Sequence, residues 1–228
     1  MLSNLHVLRS STLLNSLTTE QIESLATSSK LVTVDKGHVI WTSGAVVDFF
    51  GLVGSGFIKM CRSTADGQET TVEIVGPGQI YGLLGTIDGS GCPLSSIAVT
   101  KTVYLRIPKR AFMPIYEANN ALKDRLVRRT TLRLRSAHDL MARLISGRVD
   151  QRIAAVLMIL SESYGEEVEG GIRINVPLTR QDVADMTGTT VESAIRTMSR
   201  WQKDGLIQTD HHYVVLTRVR EIEALLAA

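Results

Sequence analysis

Three rhythms of apolar and polar positions succeed one another along the chain. Thr18 to Ser28 opens on Thr-Thr-Glu and continues with Ile22, Leu25 and Ala26, an N-cap followed by helical spacing, and predicts a short helix. From Leu31 to Pro108 the rhythm changes to short β-rich runs, LVTV, VIW, FFGLV, FIKM, TTVEIV, SSIAV and VYLRI, parted by glycine turns such as Lys36-Gly37, Gly54-Ser55-Gly56 and Gly76-Pro77-Gly78. Asp66-Gly67, between two alternating runs, is a hairpin signal because a type I′ turn needs residues that tolerate positive φ. The runs predict a small antiparallel barrel or sandwich, with Gly82, Gly85 and Gly89 placed in its β context.

The third rhythm is helical. From about Ala118 to Ser146 neither glycine nor proline interrupts the chain, Pro114 lying before this stretch and Gly147 after it. Val127, Leu134 and Met141 recur every seven residues, with Thr130, Ala137 and Leu144 offset by three, an a/d seam whose centre is small or polar. Two readings fit: a dimerising coiled coil, or one amphipathic helix packed on its own barrel. Beyond Gly147 an apolar helix, Ile153 to Leu160, and a polar loop, Ser163 to Gly171, open a second domain that reads helix, short strands, helix, turn, helix, hairpin.

Within that domain Thr179 caps a helix whose apolar positions are Val183, Ala184 and Met186, Gly188 supplies a turn, and Thr190 caps a second helix with Ala194, Ile195 and Met198 inward. This is a helix-turn-helix pattern. The start of the second helix offers Val191, Glu192, Ser193 and Arg196 outward, with Arg200 one turn on. Glu can accept from cytosine N4 and Arg can donate twice to guanine O6 and N7, so such a helix end can read a major groove. A plainer reading makes Glu192 and Arg196 an i,i+4 surface ion pair worth about 0.2–0.5 kcal/mol. Leu206 to Leu216, turning at Thr209 to His212, reads as a hairpin wing beside the helices.

Composition narrows the function. With 44% hydrophobic and 21% charged residues among 228, the chain can bury a core and fits one large or two modest domains. The net charge of +2 is unevenly spread: −3 over residues 1–100, +9 over 101–148 and −4 over 149–228. Nucleic-acid binding must therefore rest on local geometry rather than bulk charge. Cys61 and Cys92 are too few and too far apart for a metal knuckle or disulfide framework, so no metal site is expected. No stretch approaches the roughly 18 apolar residues of a membrane span, and Met1 to Ser10 lacks the signal-peptide pattern, which gives a cytoplasmic expectation. A nucleophile elbow, a Walker loop, HExxH and GxGxxG before a helix are all missing, which argues against an enzyme.

Over nearly its whole length the chain resembles the CRP/FNR superfamily of bacterial transcription regulators. The residues that carry the likeness are the glycine-punctuated β runs, the long helix and the fingerprint LTRQDVADMTGTTVESAIR from Leu178 to Arg196. The resemblance implies an α+β fold: a jelly-roll-like antiparallel β-roll sensor over 1–117, a dimerisation helix over 118–147 and a winged helix-turn-helix over 148–228. It implies Glu192 and Arg196 as the base-reading pair, and a homodimer on double-stranded DNA at a palindromic TGA-type site. Thr179, Arg180, Gln181, Thr190, Val191, Ser193 and Arg200 complete the DNA-facing set, and RNA polymerase is a further candidate partner. Val191 before Glu192 is nearer the FNR branch than the cyclic-AMP receptor branch, which has Arg there, while Ile195 stands where FNR has a serine.

The resemblance also aligns Gly78 to Gly85 and Cys92 to Ser96 with the cyclic-nucleotide phosphate cassette. Leu83 replaces the receptor's ribose-binding Glu and Leu94 its phosphate-binding Arg. A buried cyclic phosphate without a cation is costly, so cyclic AMP is disfavoured. The effector-pocket candidates are Gly82, Leu83, Leu84, Leu94, Ser95 and Ser96, with Ala137 and His138 where the receptor has its ligand-touching Thr and Ser. An apolar pocket around Leu83, Leu84 and Leu94 suits a haem, an apolar ligand or no ligand; His138 would ligate, sense pH or merely fill a polar gap. An FNR-type iron-sulfur cluster is excluded because it needs four cysteine ligands. The alternative reading is an effector-binding module whose C-terminal domain does not bind DNA specifically.

Overall fold

The computed structural model describes residues 2–63 and 69–226, so the Asp66-Gly67 turn expected above lies outside the described residues. The chain divides into two compact units, Met1–Leu132 and Arg133–Ala228. Among the described residues no helix is long and apolar enough to cross a membrane.

The first unit opens with α1 (Asn4–Ser10), a 3-10 turn (Thr12–Ser16) and α2 (Thr19–Ser28). Thr18 caps α2 reciprocally: its Oγ1 accepts from Gln21 N at 3.2 Å, and Gln21 Oε1 accepts from Thr18 N at 3.0 Å. There follow β1 (Lys30–Val34), β2 (Val39–Trp41), β3 (Phe49–Ser55), β4 (Ile58–Ser63), β5 (Glu69–Val75), β6 (Ile80–Tyr81), α3 (Leu83–Asp88), β7 (Ser95–Ala98) and β8 (Thr102–Pro108). The strands make two four-stranded antiparallel sheets, ordered β1-β8-β3-β6 and β2-β7-β4-β5. Gly82, Gly85 and Gly89, expected in a β context, belong instead to α3: Gly82 and Gly89 cap it in left-handed conformations and Gly85 lies inside it. Glycines with positive φ close a short helix as readily as a hairpin, so the residues alone favour neither.

β3 is buried on both faces, which its period of two makes explicit. Phe49 and Val53 join Trp41, Ile58, Met60, Tyr81 and Tyr104 between the sheets, while Phe50 and Leu52 join Leu105, Ile107, Leu8, Leu25 and Phe112 beneath the helices. Trp41 stacks on Tyr81 with centroids 5.1 Å apart, and Tyr81 meets Tyr104 edge-on at 6.0 Å. Gly51 makes this possible, because a Cβ there would overlap the buried Tyr81 ring. After β8 comes α4 (Lys109–Ala118), absent from the sequence reading because Pro114, which removes one helical hydrogen bond, sits in its middle. The long helix, α5 (Asn120–Ser146), starts two residues later than expected, where Asn119 Oδ1 accepts from Leu122 N at 2.9 Å.

In the second unit α6 (Val149–Tyr164) is buried on most of its surface, from Ile153 to Met158 and again at Leu160 and Ser161. β9 (Gly165–Val168) and β10 (Gly171–Ile174) then pair as a hairpin, correcting the expected loop over Ser163 to Gly171. Glu166 and Glu167 gave that stretch its loop-like polarity, yet backbone pairing is indifferent to exposed side chains. α7 (Arg180–Thr187) and α8 (Val191–Lys203) follow, then β11 (Ile207–Asp210), β12 (Tyr213–Leu216) and α9 (Val219–Ala224). The sheet order β11-β12-β10-β9 joins the wing to the strand before the helix pair. Arg152 of α6 donates from one Nη1 to the carbonyls of Thr187 and Gly188, both at 3.1 Å, tying the turn between α7 and α8 to the core helix.

Two substitutions test this packing. Gly51→Ala forces the Tyr81 ring from a filled interior and is expected to cost about 1–3 kcal/mol, seen as a lower Tm beside an unchanged Val72→Ala control at an exposed site. Arg152→Met leaves two turn carbonyls without their donor and is expected to destabilise by about 1–3 kcal/mol in denaturant titration.

Candidate nucleic-acid interface

The helix pair is held at its ends by local chemistry. Thr179 Oγ1 accepts from Asp182 N at 3.0 Å, and Asp182 Oδ2 accepts from Thr179 N at 2.8 Å. Gly188 ends α7 with φ 60°, a left-handed residue that a β-carbon would strain, and Thr190 Oγ1 accepts from Ser193 N at 3.2 Å to start α8. α8 buries Ala194, Thr197, Met198 and Trp201, the i, i+3, i+4, i+7 stripe. Ile195, expected inward, is instead 45% exposed. It follows Ala194 directly, and one helical step of about 100° turns it off the buried stripe.

Glu192, Arg196 and Arg200 are exposed on the free side of α8, with Val191 and Ser193 half-buried at its start. Arg196 Nη2 donates to Ser193 Oγ at 3.3 Å, and among the described residues no ion pair joins Arg196 to Glu192. Both side chains therefore present free donor and acceptor capacity beside the positive end of the α8 dipole. The remaining expected contacts are differently disposed. Thr179 and Thr190 are engaged as caps, and Gln181 Nε2 donates to Asp185 at 2.7 Å. Arg180 is half-buried with its guanidinium 3.3 Å from the Met198 sulfur, and that burial lowers its pKa.

Arg196 and Arg200 also line a cleft of about 450 Å³ with Ser193, Arg148 and Asp150. Asp150 Oδ2 lies 3.4 Å from Arg148 and 3.8 Å from Arg200. Sequence reasoning missed Arg148 and Asp150, because Asp150's second partner, Arg200, stands 50 residues further along and only the fold joins them. The wing turns at His211, φ 52°, and His212 O accepts from Leu178 N at 2.7 Å, fixing the wing tip to the residue before the α7 cap. Arg173 of β10 lies over the Tyr213 ring at 4.3 Å.

On α5 the seam residues Val127, Leu134 and Met141 are 64%, 54% and 52% exposed, with Thr130 and Leu144 half-buried and Ala137 exposed.

The effector-pocket residues do not converge. Leu83 packs in the helix-covered cluster, Leu94 against the core between the sheets, and Leu84 is 53% exposed, so the expected apolar pocket around these three is not formed. α3 separates Leu83 from Leu84, since one helical step turns the second leucine about 100° off the buried face. Ser95 Oγ accepts from Ser43 N at 2.9 Å, whereas Ser96 is fully buried with an unpaired hydroxyl. Ala137 and His138 lie on α5 beyond the first unit, both exposed. The Trp41, Tyr81 and Tyr104 rings pack in the core between the sheets, and among the described residues no charged side chain is buried. All five histidines are exposed. Cys61 and Cys92 are buried and not joined in a disulfide, and burial, with Asp88 adding, pushes Cys92 up and away from the reactive thiolate.

Known proteins repeat this architecture. Residues 31–119 match the cyclic nucleotide-binding domain family and residues 151–226 match the Crp-like helix-turn-helix domain family. The chain is 24% identical over 196 residues to a CRP-like cAMP-activated global transcriptional regulator of Mycobacterium tuberculosis, covering 86% of this chain and 88% of that one. It is 27% identical over 203 residues to an anaerobic regulatory protein of Bacillus subtilis, covering 89% and 84%. The structure of FixK2 from Bradyrhizobium japonicum superposes with a TM-score of 0.79 at 21% identity, over 88% of this chain and 98% of that one, which shows the fold. Matched in both domains and in their order, the chain belongs to the CRP/FNR superfamily and is a transcription regulator of that type with a helix-turn-helix DNA-binding domain.

Proposed function

We propose that the protein acts as a homodimer that reads a palindromic TGA-type site, with Glu192 and Arg196 of each subunit on the base edges and a roll that does not take cyclic AMP. The observation that carries this reading is the exposed pair at the start of α8, whose inward stripe and two caps fix its direction while leaving both side chains unpaired with each other. An acceptor and a bidentate donor one turn apart suit the cytosine and guanine of adjacent base pairs.

The exposed seam of α5 supports the same reading. Val127, Leu134 and Met141 leave a row of aliphatic side chains in water along α5, at the spacing by which two helices interlock. Pairing there would supply two reading helices, and a palindrome requires their separation to match about 34 Å of duplex. The M. tuberculosis relative is described as cAMP-activated, but here the Trp41-Tyr81 stack and the leucine at 94 support a roll that holds its shape without a nucleotide. Regulation of transcription by such a dimer, within the cytoplasm, makes RNA polymerase a further candidate partner.

Gel-shift titration at fixed salt tests the reading with a TGA-containing palindrome and a scrambled duplex. Arg196→Ala is expected to lose at least about tenfold affinity for the palindrome while leaving scrambled DNA unchanged, since each bidentate base contact discriminates by about 1–3 kcal/mol; equal affinity of the wild type for both duplexes would overturn it. Leu134→Glu is expected to sediment as a monomer and to lose binding to the palindrome while keeping its circular-dichroism spectrum. A dimer that survives this change places the interface elsewhere.

A further inference from the structure

We propose that Asp150 is an electrostatic brake on phosphate binding: its carboxylate engages arginines at the DNA-facing cleft and so sets how strongly the protein holds DNA irrespective of sequence. The inference rests on the DNA-binding reading of α8 and assigns a role to a residue outside the reading helix.

The geometry is specific. Asp150 stands in the first turn of α6, where the positive end of the helix dipole favours a carboxylate, and its side chain is only 19% exposed. Its Oδ1 accepts from Gln151 N at 3.1 Å, which fixes the group in place, and its Oδ2 lies 3.4 Å from Arg148 and 3.8 Å from Arg200. Both guanidinium groups remain largely open to solvent, with side chains 74% and 57% exposed, on the same cleft as Arg196. An anion approaching the outer face of α8 thus meets donors for which an internal carboxylate already competes.

Carboxylate and phosphate oxygens take the same guanidinium N–H groups in the same geometry, so the two are rivals. A bound duplex must draw Arg148 and Arg200 off Asp150, or settle a phosphate above a fixed negative charge. Either route weakens phosphate contacts, which supply affinity without sequence information. Base-edge contacts by Glu192 and Arg196 do not involve Asp150. The brake therefore acts on total affinity and salt dependence, and leaves discrimination between sequences alone.

The test measures affinity of the full-length protein for the palindrome and the scrambled duplex across a series of salt concentrations. Asp150→Asn, nearly the same in shape, is expected to bind both duplexes about fivefold tighter, with a slope of log affinity against log salt steeper by about 1–2 per subunit and an unchanged ratio between duplexes. Asp150→Ser, which keeps a helix-starting side chain, is expected to do the same and guards against a folding defect of the first variant. Removing both arginines in the Asp150→Asn background is expected to abolish the gain. Wild-type slopes in both variants would reduce Asp150 to a helix-end residue and overturn the proposal. A weaker, flatter response would overturn it too, by making Asp150 a group that aims the arginines at phosphate. Loss of preference for the palindrome in the wild type would sink the reading of α8, while the scrambled duplex alone would still decide the brake.

Discussion

Two carbonyl oxygens, those of Thr187 and Gly188, are the fixed point from which the DNA-facing helix takes its direction. Both accept from the Arg152 guanidinium of α6, a helix buried on most of its sides and therefore unable to shift without disturbing the whole second unit. From that point Gly188 reverses the chain in a left-handed conformation and Thr190 begins α8. The inward stripe of Ala194, Thr197, Met198 and Trp201 then sets the roll of the helix about its axis. Position and rotation together decide that Glu192 and Arg196 face outward. The half-buried Arg152 thus fixes how α8 is presented while lying outside that helix.

Where structure depends on neighbours in sequence, the residues announced it. Thr18, Thr179 and Thr190 were legible as caps, and Gly188 as a turn, because each acts on backbone groups within three residues of itself. The alternating β runs located seven of the eight strands of the first unit, missing the two-residue β6. What depends on distant partners was opaque. Asp150 and Arg200 meet only when α6 and α8 pack, and β9 is a strand only because β10 lies beside it. Ile195 was misjudged for a different reason: an apolar residue beside a buried alanine looks inward until the helix phase is fixed by Trp201.

The first unit shows how aromatic rings and one glycine shape the space between two sheets. Its two sheets close on Trp41, Tyr81 and Tyr104, and Gly51 is the concession that lets the Tyr81 ring rest against the backbone of β3. Aromatic packing of this kind occupies space a polar effector would need. The leucines at 83 and 94, read in sequence as a common apolar wall, serve separate clusters once α3 forms.

The register of β10 against β12 joins Ile172 to Leu216, so the strand before the helix pair waits for the strand after it. At roughly 5–20 residues per second of synthesis, the 44 residues after Ile172, up to and including Leu216, take about 2–9 s to be made. Through that interval β10 can pair with β9 but not yet with β12. The C-terminal sheet is therefore completed late, since β10 gains its β12 neighbour only when synthesis of the chain is almost finished.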